Sequence, residues 1–581
     1  MNRKGWNPFL QIGQLDIMGN YLIGLLGSCR FRVLLISLFL GLNLSLSISS
    51  IFQKSITYDE YAILPQGLAV LKAGTFQLGS GVPHMAAVLP ALPLLFTSAK
   101  INTPILSSIT DVFQVGHIFL GMNIEHYLFY FSIGRLVSIL ALVVVGFLAY
   151  GFAKSLYGPS AGLIAAVLVF ISPNLIAHGR LVTTDIYLTA AMIGSLWAFN
   201  FFLKFPGGKS AIVLGSVLGV VSVFKFSGIL LYAVFPLVLV FLFLRRQIFR
   251  SAADCYFVLN KKTIFWSLGV ISVVMVTINL CYLFDGSFSF LRDYHFKSTP
   301  FQIFRNIWSD SVPIPLPYFF IEQIDRQLAD TGGFAYLLGE FNNTGFWNYY
   351  LVAFLIKLPI PTMLLCLLAY LSNWKIDERE IPMLMTALLF FLFFSLVSHK
   401  NIGLRYLLFI IPVMGIWTGR IVHFPVNTSF RAHYFTIVSG SLGILWISII
   451  SVSIWPNYLP YFNSLSGGAS QGHKYLLDSN LDWGQDLLFL KEYMIKEKIH
   501  SVDLAYFGMV HPHIYGIRFK PLGAEKPQRY VAISANILWG GTRFDASSGH
   551  KAVEFQKLQP SAILGHTIYV YDTHAQRPKD E

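Results

Sequence analysis

The chain has 581 residues, 55% of them hydrophobic and 12% charged, with a mean hydropathy of +0.60 and a formal charge of +13. Soluble domains carry about a quarter charged residues, so this balance excludes an ordinary soluble protein and marks an integral membrane protein. The excess of positive charge is assigned to cytoplasmic loops of a multi-span protein, and no nucleic-acid partner is expected. The cysteines Cys29, Cys255, Cys281 and Cys366 show no metal-ligand spacing and imply no disulfide framework.

In chain order, Arg30 and Arg32 precede an apolar run from Val33 to Leu44. No small-residue cleavage site follows before Lys54 and Asp59, so the run is read as an uncleaved first span with the N-terminus inside. Apolar runs of membrane-crossing length, roughly 17–25 residues, begin near Phe31, Tyr127, Pro159, Asp185, Ala211, Gly228, Thr263, Tyr349, Ile381, Ile402 and His433. These spans, roughly eleven by that criterion, place Lys154, Lys204 with Lys209, Arg245-Arg246 with Arg250, Lys261-Lys262, and Arg420 with Arg431 in cytoplasmic loops. Residues 53–126, 285–348 and everything after Trp455 then face outward. Past Pro456 the long apolar runs stop. Short β-rich stretches at 502–507, 529–534 and 562–571, with an amphipathic helix near 485–498, predict a small α/β domain over 457–581, outside a membrane domain of 1–456.

This topology gathers the ionisable residues at span ends on one face: Asp59, Glu60, Arg180, Asp185, Lys225, Lys357, His399, Lys400 and Arg405. Charges near a span cost a few kcal/mol on insertion scales, about 2.5–3.5 at a helix centre, so their convergence points to a polar cavity. Arg and Lys suit a phosphate, and a carboxylate can take a proton from an acceptor hydroxyl. The combination fits group transfer from a phosphate leaving group, and outside the cytoplasm a lipid-linked phosphate is the sensible donor. Each residue also has a plainer role open to it: a helix cap for Asp59, an Arg180–Asp185 pair, or snorkelling for Lys225, Lys357 and Arg405.

The segment Asp478-Ser-Asn-Leu-Asp482-Trp-Gly-Gln-Asp486 invites a calcium-loop reading. An EF-hand, however, needs Gly at its sixth position and Glu at its twelfth, where this chain has Trp483 and Phe489. Asp482 is expected instead to cap the helix near Gln485, and His511-Pro-His513 is read as loop chemistry.

The run Tyr58-Asp-Glu-Tyr-Ala-Ile-Leu-Pro-Gln-Gly67, continuing through Leu71-Lys-Ala-Gly74, resembles the first outer loop of bacterial GT-C glycosyltransferases of the protein O-mannosyltransferase and aminoarabinose transferase type. His178-Gly-Arg-Leu-Val-Thr-Thr-Asp185, Phe224-Lys-Phe-Ser-Gly228, Tyr336-Leu-Leu-Gly-Glu340, Lys357-Leu-Pro-Ile-Pro361, His399-Lys-Asn-Ile-Gly-Leu-Arg405-Tyr406 and Asp478–Asp486 extend the resemblance along almost the whole chain. It implies the GT-C fold and an inverting transfer of one sugar from a polyprenyl-phosphate donor to a hydroxyl on a protein, lipid or envelope glycan. Asp59 would be the catalytic carboxylate, supported by Glu60. Arg180, Lys357, Arg405 and Lys225 would be candidates for the donor phosphate, with Asp185 holding Arg180, and His84, Glu340, His399 and Lys400 supporting. The chain departs from the family in two places: Gly81-Val-Pro-His84 replaces an Asn-His-Pro-Pro-like run, and Leu358 stands where relatives carry Thr. Some members use a divalent cation, and no residue cluster here decides that question. A multi-span transporter or lipid flippase is the competing class; it calls for repeated halves and midplane charges, neither of which is evident in the sequence.

Overall fold

The computed structural model describes residues 28–74, 76–78, 84–109, 111–249, 260–330, 332–372, 375–422, 430–523 and 526–575. The expectations for the N-terminus, Gly81-Val-Pro83, Arg250 and Cys255 lie outside the described residues, as does the side chain of Arg431.

Helices α1 (Cys29–Ile51), α2 (Glu60–Ala73), α3 (Met85–Ala91), α4 (Val112–Met122), α5 (Tyr127–Tyr157), α6 (Pro159–Phe170), α7 (Pro173–Gly179), α8 (Thr184–Lys204), α9 (Gly208–Phe224), α10 (Leu231–Phe249) and α11 (Lys261–Cys281) form the first part of the chain. Then come α12 (Thr299–Ile307), α13 (Tyr318–Ala329), a hairpin of β1 (Ala335–Leu337) and β2 (Glu340–Asn342), α14 (Tyr349–Lys357), α15 (Ile360–Ser372), α16 (Ile381–Leu396), α17 (Ile410–Thr418) and α18 (Phe430–Ser453).

All eleven apolar runs become helices, but not all become straight spans. Six helices are long and apolar enough to cross a membrane alone: α1, α5, α8, α10 with the turn before it, α11 and α18. Two others are bent pairs, α6 with α7 at 63° and α14 with α15 at 103°, and α9, α16 and α17 belong to shorter helices. The expectation of uniform full-length spans is corrected accordingly. The cause is legible: Pro173 and Pro361 stand at helix starts, where proline lacks the N–H that would continue the preceding ladder.

A break inside the bundle frees carbonyls that need donors. At the first break, Asn43 Nδ2 donates to Phe170 O at 2.7 Å and Ser451 Oγ to Ile171 O at 2.5 Å. At the second, Asn463 Nδ2 donates to the carbonyls of Leu355 (2.7 Å) and Leu358 (2.8 Å), its backbone N–H donates to Ile356 O (2.8 Å), and Asn174 Nδ2 donates to Lys357 O (2.7 Å). Both breaks are thereby fixed. Arg180 directly follows α7, the second half of the first bent pair, and Lys357 sits at the other break.

Glycines let the helices approach closely. A Cβ on Gly146 would meet the Phe170 ring at 2.2 Å, one on Gly162 the Tyr150 carbonyl at 2.7 Å, and one on Gly67 the Ala87 carbonyl at 1.9 Å. At the end of the bundle away from Arg180 and Lys357, Tyr157 OH donates to buried Glu380 at 2.5 Å, which also faces Arg420 at 3.4 Å, and Asn200 donates to Arg379 O at 2.9 Å. Lys154, Lys204, Arg245 and Lys261 occupy helix ends there.

The C-terminal region carries a five-stranded sheet in the order β4 (Phe519–Pro521), β3 (Val502–Ala505), β5 (Tyr530–Ser534), β7 (Ile568–Asp572), β6 (Ala562–Leu564). The first two pairings are parallel and the last two antiparallel. Strands β3 and β5 lie buried at its middle. The expected amphipathic helix is α19 (Leu487–Lys496), followed later by α20 (Ala535–Gly540) and α21 (Gly549–Glu554). Strand β4 and the β1–β2 hairpin were not expected from the sequence.

Candidate active site

Asp59 stands just before α2, yet its carboxylate makes no cap bond. It accepts instead from Arg405 Nη1 at 2.7 Å. Arg405 Nη1 also lies 3.7 Å from Asp185 Oδ2, and Asp185 Oδ1 accepts from Lys225 Nζ at 2.6 Å. The result is a relay of alternating charge, Asp59–Arg405–Asp185–Lys225. Exposure sorts the two carboxylates: the Asp59 side chain is 27% exposed and that of Asp185 0%. Asp59 is the one a substrate can reach. Trp483 and Tyr406 form the aromatic floor, with the Arg405 guanidinium 4.3 Å from the Trp483 ring and Lys225 Nζ 4.4 Å from the Tyr406 ring. Tyr58 stacks on Phe507 at 5.3 Å, so the C-terminal region also supplies a wall.

Glu60 faces the other way. It is fully buried and accepts from Arg135 Nε (2.8 Å) and Nη2 (2.6 Å), Thr57 N (2.9 Å) and Oγ1 (3.0 Å), and Val182 N (2.9 Å). Burial alone would raise this carboxyl, but the Arg135 charge and these donors hold it below the usual carboxylate range. With its acceptor capacity taken up, Glu60 anchors the loop that carries Asp59. Arg135 meanwhile donates to the carbonyls of Ile51, Lys54 and Ser55. Sequence reasoning missed Arg135, although a lone Arg inside the apolar run from Tyr127 is the signal of a buried partner.

The segment 478–486 threads between the membrane helices and the loop before α2. Tyr58 N donates to Trp483 O and Ser55 N to Gln485 O, both at 2.9 Å, while Ser55 Oγ donates to Gly484 O at 2.8 Å. Lys54 is paired with Asp486, which also accepts from Thr567 Oγ1 at 2.6 Å. Asn480 accepts from Leu404 N at 3.0 Å and donates to Tyr349 OH at 2.8 Å. Asp482 does not cap α19, which begins five residues later. It accepts instead from Gly484 N (3.0 Å), the Ser534 hydroxyl and Asn536 N (3.2 Å), fixing the turn beneath Trp483. Burial pushes its carboxyl up to about 7. Asp478, in a left-handed backbone conformation (φ 58°), is pushed up to about 6 by burial, opposed by Arg405.

The remaining expected residues divide. Arg180 is not held by Asp185: it is buried over the Tyr458 ring at 5.4 Å, donates to Ser50 O at 3.3 Å, and makes no ion pair among the described residues. The expected Arg180–Asp185 pair is replaced because Asp185 is already taken by Lys225 and Arg405. Lys357 is buried and donates to the carbonyls of Leu459 (2.8 Å) and Asn480 (2.6 Å), tying the second break to the threaded segment. His84 is fully buried between Gln66 (2.9 Å) and Phe76 O (2.8 Å), with Gln323 beside it, and burial pushes it down to about 4. It joins α2 to α13. His399 bonds Thr344 O at 2.5 Å, Lys400 pairs with Asp330 at 2.8 Å, and Glu340 is exposed at the start of β2. These three make no bond to the Asp59 relay. Among the described residues no three His, Cys, Asp or Glu side chains converge on one metal position.

Residues 124–282 match the sequence model of the family described as dolichyl-phosphate-mannose-protein mannosyltransferase. That segment is similar to a family of membrane glycosyltransferases. The matched segment includes Arg135, Arg180, Asp185 and Lys225, whereas Asp59, Lys357 and Arg405 lie outside it. No curated protein matches the chain significantly. Among solved structures, ArnT from Cupriavidus metallidurans in the apo state is similar at 12% identity over 92% of this chain and 97% of that one, with a TM-score of 0.47. The same protein bound to undecaprenyl phosphate aligns at 12% identity over 94% and 99%, with a TM-score of 0.45. AglB, an archaeal oligosaccharyltransferase from Archaeoglobus fulgidus in complex with an inhibitory peptide and a dolichol-phosphate, aligns at 11% identity over 95% and 75%, with a TM-score of 0.46.

Proposed function

We propose that this glycosyltransferase moves one sugar from a polyprenyl-phosphate donor to an acceptor hydroxyl, with inversion, at the extracytoplasmic face of the cell membrane. The observation that carries the reading is the relay in which the partly exposed Asp59 is bound by a buried Arg405, itself backed by Asp185 and Lys225. The donor phosphate competes with Asp59 for Arg405, and Lys225 supplies a second cation. Freed from Arg405, the Asp59 carboxylate accepts the proton of the acceptor hydroxyl as its oxygen bonds to the anomeric carbon. The bond from that carbon to the phosphate oxygen breaks, and its electron pair leaves on the polyprenyl phosphate, whose charge the cations stabilise.

An apolar cleft of about 500 Å³ lies among α9, α10, α11 and α13, lined by residues such as Leu218, Phe235, Val274 and Ile321. It reaches Ile229, four residues after Lys225, and suits the donor's prenyl chain. The arrangement of Lys and Arg at the opposite end of the bundle supports a cytoplasmic N-terminus, loops 53–126 and 285–348 outside, and a membrane domain of 1–456 with an extracytoplasmic domain of 457–581. Arg180 and Lys357, buried cations without a carboxylate partner among the described residues, are further candidates for the donor phosphate.

The test is transfer of radiolabelled sugar from a panel of polyprenyl-phosphate sugars by purified protein in vesicles. Asp59→Asn should lose transfer by at least a hundredfold, on the scale of one removed catalytic donor or base, while eluting as a monodisperse species. Normal turnover by Asp59→Asn would end the assignment.

A further inference from the structure

The C-terminal region holds a second cleft, of about 450 Å³, apart from the Asp59 relay. One wall is the end of α19 and the turn after it, and the other is the segment from Gly516 to Arg518. Its floor includes the buried Met494 and Ile517, and around it stand Lys491, Lys498, His500 and Arg518. No acidic side chain among the described residues lines it, and the neighbouring Glu497 faces Lys496 at 4.0 Å. Lys491, Lys498 and Arg518 make no ion pair among the described residues.

A helix end alone does not explain this clustering. Cations commonly gather at helix C-termini, but here Lys491 comes from the body of α19, Lys498 and His500 from beyond its end, and Arg518 from a different segment. Lys498 also holds a left-handed backbone (φ 55°), at a point where Ile499 N closes back on Met494 O at 2.8 Å. Such a turn favours glycine, and this chain places a lysine there. Three full positive charges around an apolar floor match a multiply charged anion: the planar fork of Arg518 grips two oxygens while the lysines act as point charges. The volume is in the range of small-ligand pockets, about 300–1,000 Å³, and exceeds what a lone phosphate needs.

We propose that this cleft binds a phosphate-bearing group of sugar or headgroup size. Immediately before that second wall stands Tyr515, whose hydroxyl accepts from Ile56 N at 2.8 Å, three residues before Asp59. An occupant would therefore sit one residue away from a contact of the Asp59 loop without touching the relay. The anion comes either from a membrane lipid headgroup or from a phosphorylated saccharide of the envelope.

Full-length protein in phosphatidylcholine nanodiscs, titrated calorimetrically with inorganic pyrophosphate, tests the site. Saturable binding is expected, weakened at least tenfold in Lys491→Gln/Arg518→Gln and retained in Arg405→Gln, with the Lys491→Gln/Arg518→Gln variant keeping the wild-type thermal midpoint. Binding that the double variant leaves intact, or no saturable binding in wild type, overturns the proposal, as does loss of all binding in Arg405→Gln. Nanodiscs containing phosphatidylglycerol separate the two sources. Competition with pyrophosphate there supports a lipid headgroup, while unchanged pyrophosphate affinity together with saturable glucose 1-phosphate binding supports a saccharide.

Discussion

The buried Glu60–Arg135 pair gives the sharpest stability prediction. Arg135→Met removes both donors to a fully buried carboxylate, leaving it with Thr57 and Val182 alone. Orphaning one member of a buried pair costs about 3–5 kcal/mol. The carbonyls of Ile51, Lys54 and Ser55 also lose their Arg135 bonds, each worth about 1 kcal/mol net. The two contributions overlap, so a loss of about 5 kcal/mol is expected, more than a thousandfold in the folded population. Adding Glu60→Gln removes the uncompensated charge and should recover about half of that loss, since replacing both partners of a buried pair is often near neutral. Thermal unfolding of detergent-solubilised protein, followed by the fraction that stays monodisperse on size exclusion, reads both effects. A wild-type midpoint for Arg135→Met, or a double variant no more stable than that single, would refute the reasoning.

Three further outcomes follow from named contacts. Lys225→Gln should raise the donor KM at least tenfold with a smaller effect on kcat, because it removes one phosphate-side cation and leaves Asp59 in place; an unchanged donor KM in steady-state transfer assays would contradict this. Gly67→Ala should strip the protein of monodisperse material on size exclusion, since its Cβ would fall 1.9 Å from the Ala87 carbonyl and overpacking of this kind costs about 1–3 kcal/mol or more. Asp482 is pushed up to about 7 from a model-peptide value of 3.8, so the native state holds a proton there that the unfolded chain releases. Its contribution to stability therefore falls as pH rises from about 4 to 7, and Asp482→Asn should flatten the thermal midpoint measured across that window.

Much of the architecture was legible because a membrane constrains a chain so strongly. Each apolar run had to be a helix, and the strands at 502, 530 and 568 stood out as β-rich stretches beyond the last span. The two bent pairs were harder to read, since Pro173 and Pro361 mark helix starts but the angle depends on distant donors such as Asn43 and Asn463. At the site, Asp59, Arg405, Asp185 and Lys225 were all named from their position at span ends. Their pairing was not, because Asp185 sits five residues from Arg180 and the nearer cation looked like its partner. Position along the chain also could not distinguish Asp59 from Glu60, adjacent residues whose side chains reach different partners, Arg405 and Arg135. Arg135 carried a readable signal, a single cation in an apolar run, and was passed over.

The pairing of residues 55–58 with 483–485 has a consequence for biosynthesis. The two strands of that staple are separated by more than 400 residues, so the loop bearing Asp59 leaves the ribosome long before the segment that seats it. At about 5–20 residues per second, the wait is on the order of 20–90 s. During that interval Lys54 lacks Asp486 and Asp59 lacks Arg405 until residue 405 is made, so the newly inserted chain holds an incomplete centre. On the proposed function, activity is expected to begin only once the segment through Asp486 has been made and docked, and a chain cut short before it is expected to be inert.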